Sequence, residues 1–366
     1  MRIGIDAHVL GKNIGGVERF VQELLHELPD LTPQHEYVVF VTQSVFEKVN
    51  HCSTTQVQYA PLMFSNPLIE RLILMPWLVR KYQLDALLVQ RLSPWFCGKC
   101  KLIVTIHDLT PIKFAAQYKG LSNKLVRLLT RNTIKRAALI LTPTEAIKAE
   151  IQAYCTNVVA PIKAFYNGVD VEVFKQSGQS GKNLLPITEP YLLTVGAIET
   201  RKNIETIFSM LPLLVGHAEL KLVVVGKVRD QAYFEALQAK VADLELSERV
   251  IWQGFMAEEV LIQLYQKAAV FITSSRDEGF NIPPLEAMAC GTPVICSNIA
   301  VHNELFSGAA LLYDVESASD LAKKVLSVLD QPEMAQQLKA NGQAKVSEFT
   351  WKRTAQNVAK ALEEIS

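Results

Sequence analysis

The chain has 366 residues, 49% of them hydrophobic, which is enough to bury two cores rather than one. Its 37 Lys and Arg balance 37 Asp and Glu, and a net charge of zero argues against a general nucleic-acid binder. The six Cys show no disulfide-framework spacing, no segment reads as a secretion signal, and no apolar run approaches the ~20 residues needed to span a bilayer, so a reduced, cytoplasmic protein is expected.

Met1-Arg2-Ile3-Gly4-Ile5-Asp6 predicts a first strand centred on Ile3–Ile5. The loop from Gly11 to Arg19, with Gly15 and Gly16 adjacent, leads into a helix over about Val17–Leu28. Backbone N–H groups at such a junction can hold a phosphate, helped by the helix dipole. The pattern is neither a Walker A loop nor the dinucleotide glycine signature, so an ordinary turn remains the plainer alternative. Further strands are expected at Tyr37–Val41, Ala86–Val89, Leu102–Ile106 and Leu139–Leu141. Cys97 and Cys100 lack a second Cys pair or a nearby His, and read as incidental rather than as half a metal site.

His107 follows the strand Leu102–Ile106, at the end where open α/β sheets place ligand-facing side chains. Asp108 beside it reads either as a loop-orienting carboxylate or as a helix cap. Lys124, Arg127, Arg131 and Lys135 recur at helical spacing beside Leu121, Leu125, Leu128 and Leu129. An apolar stretch with flanking cations, Pro67 to Lys81, precedes them. Both segments suit ordinary amphipathic surface helices or a peripheral contact with anionic lipid. Tyr166-Asn167-Gly168-Val169-Asp170 marks a turn, and Gln176–Lys182 reads as a flexible linker.

Residues 1–170 hold 19 Lys and Arg against 13 Asp and Glu, a net +6, and the remainder is −6. The strand–helix alternation restarts at Tyr191–Gly196 and continues through Lys221–Val225, Val250–Trp252, Val270–Thr273 and Pro293–Cys296. The reading is α/β throughout. It places a first Rossmann-like domain at 1–170, a linker at 171–188, a second Rossmann-like domain at 189–346, and a terminal helix at 347–366. A cleft between two such units is a common ligand site.

The second domain carries the chemistry. Arg201 and Lys202 follow the strand ending at Gly196, and two adjacent cations suit a pyrophosphate, although a solvated basic turn fits the doublet alone. Glu278 and Glu286 stand eight residues apart across a loop and a helix start. Gly279 permits a sharp turn there, and Pro283 and Pro284 suit the helix's first turn. Glu286 early in a helix also offsets the dipole, which is its plainer role. His8, His217 and His302 have no comparable context and read as structural or solvated.

Glu278 to Glu286, followed by Ala-Met-Ala-Cys-Gly-Thr-Pro-Val, resembles the Glu-x7-Glu motif of the retaining family 4 glycosyltransferases, in particular mannosyltransferases. Gly15-Gly16, His107-Asp108, Asn167-Gly168-Val169-Asp170 and Gly196 with Lys202 match the same pattern, so the resemblance covers nearly the whole chain. It implies the B-type fold of two Rossmann-like domains facing across a cleft, with the segment around Trp351 crossing back onto the first. Gly15 and Gly16 would line the donor's phosphates, and Arg201 and Lys202 would neutralise them. Glu278 would meet the donor sugar together with Gly279, Phe280, Asn281 and Ile282. Glu286 would take the ribose hydroxyls, and His107 would face the transferred sugar. One departure concerns position 197, where many relatives carry Arg and this chain has Ala197. Arg201 is the candidate to stand in.

The implied reaction moves a sugar from a nucleotide diphosphate sugar, GDP-mannose first and a UDP-sugar second, to a glycan or lipid-linked hydroxyl. Retention implies attack on the leaving-group face, with the diphosphate oxygen taking the acceptor's proton. No side-chain nucleophile is then needed. No Asp-x-Asp motif appears, so neither a metal nor another cofactor is expected. A sugar-nucleotide epimerase of related fold, or a non-catalytic nucleotide-sugar-binding subunit, would be separated from a transferase by products and turnover.

Overall fold

The computed structural model describes residues 1–366 apart from 13–14, 63–73, 95, 114–120, 177–186 and 188–189. Asn13 and Ile14 of the Gly-rich loop, the first part of the apolar stretch from Pro67, and most of the expected linker therefore lie outside the described residues. Within that linker, Val171–Gln176 is helical.

The chain divides into two compact units, Met1–Gly168 with Trp351–Ser366, and Val169–Thr350. In the first, seven parallel strands run in the order β3-β2-β1-β4-β5-β6-β7. They are β1 Arg2–Asp6, β2 Glu36–Thr42, β3 Val57–Leu62, β4 Ala86–Gln90, β5 Lys101–Thr105, β6 Leu139–Thr142 and β7 Ile162–Ala164. β1 sits between β2 and β4, with Ile3 opposite both Tyr37 and Ala86. The interior strands are almost wholly buried, because helices cover both faces of a parallel sheet.

The terminal helix, Trp351–Glu363, belongs to this first unit, where it packs on the helix Gly16–Leu31. Trp351, Ala355, Val358 and Leu362 form its buried stripe. Thr354 Oγ1 and Asn357 Nδ2 tie it to the carbonyls of Tyr166 and Phe165 at 2.6 and 3.1 Å.

The second unit repeats the plan with six parallel strands, in the order β10-β9-β8-β11-β12-β13. These are β8 Tyr191–Val195, β9 Lys221–Val225, β10 Val250–Gln253, β11 Val270–Thr273, β12 Val294–Ser297 and β13 Leu311–Tyr313. Leu193 of β8 faces Val223 of β9 on one side and Phe271 of β11 on the other. Leu222, Val224, Val270 and Ile272 pack with Ile207, Phe208, Leu237 and Val241 from neighbouring helices to form its core.

Strands β3, β7 and β13 were not expected from the sequence, and all three lie at sheet edges. β3 carries Pro61, which only an edge tolerates, and the other two span three residues each. β3 and β7 interrupt their apolar residues with Gln58 and Lys163, whereas β13 is the short end of the apolar run 309–313.

Candidate active site

In the second unit the strand order reverses between β8 and β11. Loops leaving the carboxyl ends of two such strands diverge, and the crevice between them is the usual ligand position in an open α/β sheet. One loop runs from Gly196 to a tight turn at Thr200–Lys202. The other runs from Ser274 to Asn281, where the helix Ile282–Ala289 begins.

The two loops meet at Glu278, which is only 6% exposed. Lys202 Nζ donates to its Oε1, Arg201 Nη1 to its Oε2 at 2.7 Å, and Ser275 Oγ to its Oε1 at 2.7 Å. Arg201 also donates to the Asp277 carbonyl at 2.9 Å and pairs with Glu199 at 2.8 Å. Burial by itself would raise the Glu278 carboxyl. The charges of Lys202 and Arg201, with the hydrogen bonds from Lys202 and Ser275, outweigh it and hold the group well below the usual carboxylate range. Burial pulls the Lys202 ammonium down, Glu278 opposes that, and Arg201 adds like-charge repulsion.

The backbone of these loops is stitched together. Ser274 Oγ donates to the Lys202 carbonyl at 2.7 Å and Arg276 N to the Arg201 carbonyl at 2.8 Å. The Arg276 guanidinium spans Glu205 at 2.9 Å and Glu316 at 2.7 and 2.9 Å. Gly226 approaches so closely that an added Cβ would fall 1.8 Å from the Gly196 carbonyl oxygen. A hollow beside Lys202 is lined by Gly196, Ala197, Thr273, Ser274 and Ser275. At about 10 Å³, and with Ile204, Val224 and Val225 also in its wall, it has room for about one water and not for a diphosphate.

The rest of the second loop departs in part from expectation. The residue in the left-handed region is Asn281, at φ +73°, not Gly279. Pro283 and Pro284 do open the helix, Ile282 is its first residue, and Gly291 at φ +74° follows its end. Phe280 is buried edge-on against Phe349, with 5.9 Å between ring centroids. Glu286 accepts the Tyr265 hydroxyl at 2.7 Å, whereas Arg201 and Lys202 each bond directly to Glu278.

His107, Gly15 and Gly16 belong to the first unit. Gly15, at φ +88°, caps the helix Gly16–Leu31, and Glu18 of its first turn accepts the Gly11 N–H at 2.7 Å. His107 is half-buried. Its Nε2 meets Gln90 Oε1 at 3.0 Å, and its ring lies edge-on to Phe20 and Phe165 at 5.2 and 5.8 Å. Burial pulls the imidazole down to about 4, with Asp108 pulling up and Arg91 down. Asp108 serves both expected ends, accepting Arg91 at 3.0 Å and the Thr110 N–H at 3.1 Å.

Sequence reasoning missed three residues that contact this cluster: Glu199, Ser275 and Arg276. Glu199 and Arg276 stood within the charged loops, and their opposite signs were the available signal. Ser275 gave none, since a serine three residues before a glutamate does not by itself show that the two bond.

Residues 14–173 match the family described as Glycosyltransferase Family 4, and residues 176–345 match Glycosyl transferases group 1. The O-antigen chain mannosyltransferase RfbU of Salmonella typhimurium is 29% identical over 63% of this chain and 61% of its own length. The serotype-specific mannosyltransferase WbdA of Escherichia coli is 26% identical over 72% of this chain. The match therefore spans less than two thirds of either relative, and only 32% of WbdA. Among solved structures, a sucrose-phosphate synthase from Thermosynechococcus elongatus superposes with a TM-score of 0.77 at 19% identity, covering 100% of this chain and 99% of its own.

Proposed function

The chain belongs to the group 1, family 4 glycosyltransferases with the B-type fold, and on that premise we propose that it transfers a hexosyl unit from a nucleotide diphosphate sugar to a hydroxyl of a glycan or lipid-linked acceptor, with retention of configuration. The observation that carries this reading is the convergence of Arg201 and Lys202 on buried Glu278 at the strand-order reversal. Cleaving a sugar–phosphate bond builds positive charge at the anomeric carbon and negative charge on the departing diphosphate. Preorganised cations stabilise the latter, and such terms commonly dominate catalysis.

In this reading Lys202, beside Glu278 at the strand-order reversal, neutralises the diphosphate. Arg201 joins it by exchanging Glu199 for a phosphate oxygen. Glu278, kept ionised, faces the developing charge on the sugar, and backbone groups of Gly279, Phe280, Asn281 and Ile282 complete that contact. Glu286 binds the ribose hydroxyls by giving up its Tyr265 bond. Gly15, Gly16 and His107 act from the first unit, where the acceptor binds. A neutral His107 suits hydrogen bonding to a sugar hydroxyl better than proton donation.

GDP-mannose is the favoured donor, because the relatives named above are mannosyltransferases, and a UDP-sugar is second. Exposed Lys124, Arg131 and Lys135, with Leu125 and Leu128 beside them, suit a peripheral contact with anionic lipid near a lipid-linked acceptor. The test is product analysis with each donor, alone and with glycan and polyprenyl-linked acceptors. Transfer to a hydroxyl with the donor's anomeric configuration retained supports the reading. Epimerised donor, or no turnover with any sugar nucleotide, would overturn it.

A further inference from the structure

Behind the Glu278 loop lies a line of buried polar side chains that no role above uses. His302 is 0% exposed and sits on the helix Ala300–Phe306, after β12. Its Nε2 meets Asn281 Nδ2 at 2.9 Å, and its Nδ1 meets the Ser297 carbonyl at 2.8 Å. An amide nitrogen can only donate and a carbonyl can only accept, so these partners select the neutral imidazole with its proton on Nδ1. Asn281 Nδ2 also donates to Thr273 Oγ1 at 3.0 Å. Ser297 Oγ donates to the Ser275 carbonyl at 2.6 Å, and Ser275 Oγ reaches Glu278.

The two ends of that line are the two ends of the functional loop. Ser275 orients Glu278 near its start, and Asn281 closes it. Asn281 holds φ +73°, a backbone state that side-chain-bearing residues adopt uncommonly and Asn best among them. Its side-chain amide is fixed by Thr273 and His302, so the left-handed turn that opens the helix Ile282–Ala289 is held by tertiary hydrogen bonds and not by chain preference alone. Burial keeps His302 neutral, with its pKa pulled down to about 4 despite the pull of Glu278 the other way.

We propose that His302 is a positioning residue for the donor site, bridging Asn281 to β12 so that the loop from Ser275 to Asn281 presents Glu278 and its backbone groups in one arrangement. The inference rests on the donor-site reading above, and it extends that reading to a residue outside the motif. His302 touches no donor atom in this account. It acts through Asn281 and Ser297.

The experiment is a double-mutant cycle on the full chain with His302→Leu, Asn281→Gly and the pair together, read as donor KM, acceptor KM and kcat, with nucleoside diphosphate affinity by calorimetry. Leu removes the acceptor that Asn281 needs. Gly at 281 adopts the left-handed turn without any side-chain tether. His302→Leu should lower kcat/KM for donor by about tenfold or more while leaving acceptor KM unchanged. The double variant should recover most of that loss, to within about threefold of Asn281→Gly alone, because residues that act as a unit are not additive.

His302→Gln supplies the conservative arm and covers the case in which the Leu variant does not fold. Its amide accepts from Asn281 and donates to Ser297, so it should stay within about fivefold of the parent. Losses that simply multiply in the double variant, a His302→Leu enzyme with ordinary donor kinetics, or a folded His302→Gln enzyme as impaired as the Leu variant would each overturn the proposal. A parent chain inert toward every sugar nucleotide would instead overturn the donor-site reading, and this inference with it.

Discussion

Lys202 and Glu278 lie 76 residues apart in the chain and form a buried ion pair, each on a loop that leaves one of two neighbouring strands. Neither side chain is at home in a core without the other. An isolated buried charge costs several kcal/mol, and the pair persists because Arg201 and Ser275 satisfy the remaining carboxylate positions. That arrangement ties stability and chemistry to the same atoms.

Lys202→Ala and Glu278→Ala are expected to lower turnover by on the order of 10²-fold or more each, the scale of losing one transition-state electrostatic contact. Glu278→Ala is the harsher for stability, since it leaves buried Lys202 without its ion-pair partner and Arg201 with Glu199 alone, a loss of about 3–5 kcal/mol. Circular dichroism should still report the native fold. Near-normal turnover in either variant removes that residue from the site.

Gly226→Ala tests how tightly the loops of the second unit are packed. Its φ of +155° and the 1.8 Å approach of the Gly196 carbonyl leave no room for a methyl group. Backbone cannot step aside as a flexible side chain can, so a loss of about 3 kcal/mol is expected by urea denaturation. A variant as stable as the parent would show that these loops separate easily.

Acid should destabilise the chain over a defined interval. Burial pulls both His107 and His302 down to about 4. The unfolded chain binds protons at these side chains near pH 6.5, whereas the folded chain refuses them until about pH 4. Stability therefore rises with pH across that window. Glu278 adds a slope of the same sign at lower pH, because its stabilisation is complete above the ordinary Glu range and declines as its carboxyl protonates. Urea midpoints at pH 4.5, 5.5 and 7 would read it, and His302→Leu should flatten the profile. A flat profile in the parent would contradict a neutral His107 and His302 in the folded chain.

The exposed basic face of the helix Leu121–Arg136 gives a separate expectation. The chain should sediment with anionic vesicles at low salt, and lose that binding when Lys124, Arg131 and Lys135 are all changed to Glu. Failure of the parent chain to sediment would end the lipid proposal.

How far the sequence could be read depends on the range of the forces involved. Interior strands such as Val270–Thr273 are buried on both faces, so their apolar runs stand out, whereas the edge strand Ile162–Ala164 is three residues long, carries Lys163 and leaves no such run. The loop and helix around Glu278 were legible because Pro283, Pro284 and Gly291 act through local backbone preference. Gly279 drew attention for the same reason, yet the left-handed turn fell to Asn281, whose side chain bonds to Thr273 and His302, partners that spacing does not show. The bond between Glu286 and Tyr265, and the commitment of Arg201 to Glu199, are likewise side-chain choices that spacing does not encode.

Calorimetric titration of GDP-mannose, UDP-glucose and ADP-glucose into the parent chain and into Lys202→Ala puts the central claim most directly at risk. Saturable binding of at least one of them to the parent, GDP-mannose foremost, is expected, with a loss of about tenfold or more in affinity in Lys202→Ala. Equal affinity in the two proteins, or no heat with any of the three, would contradict it.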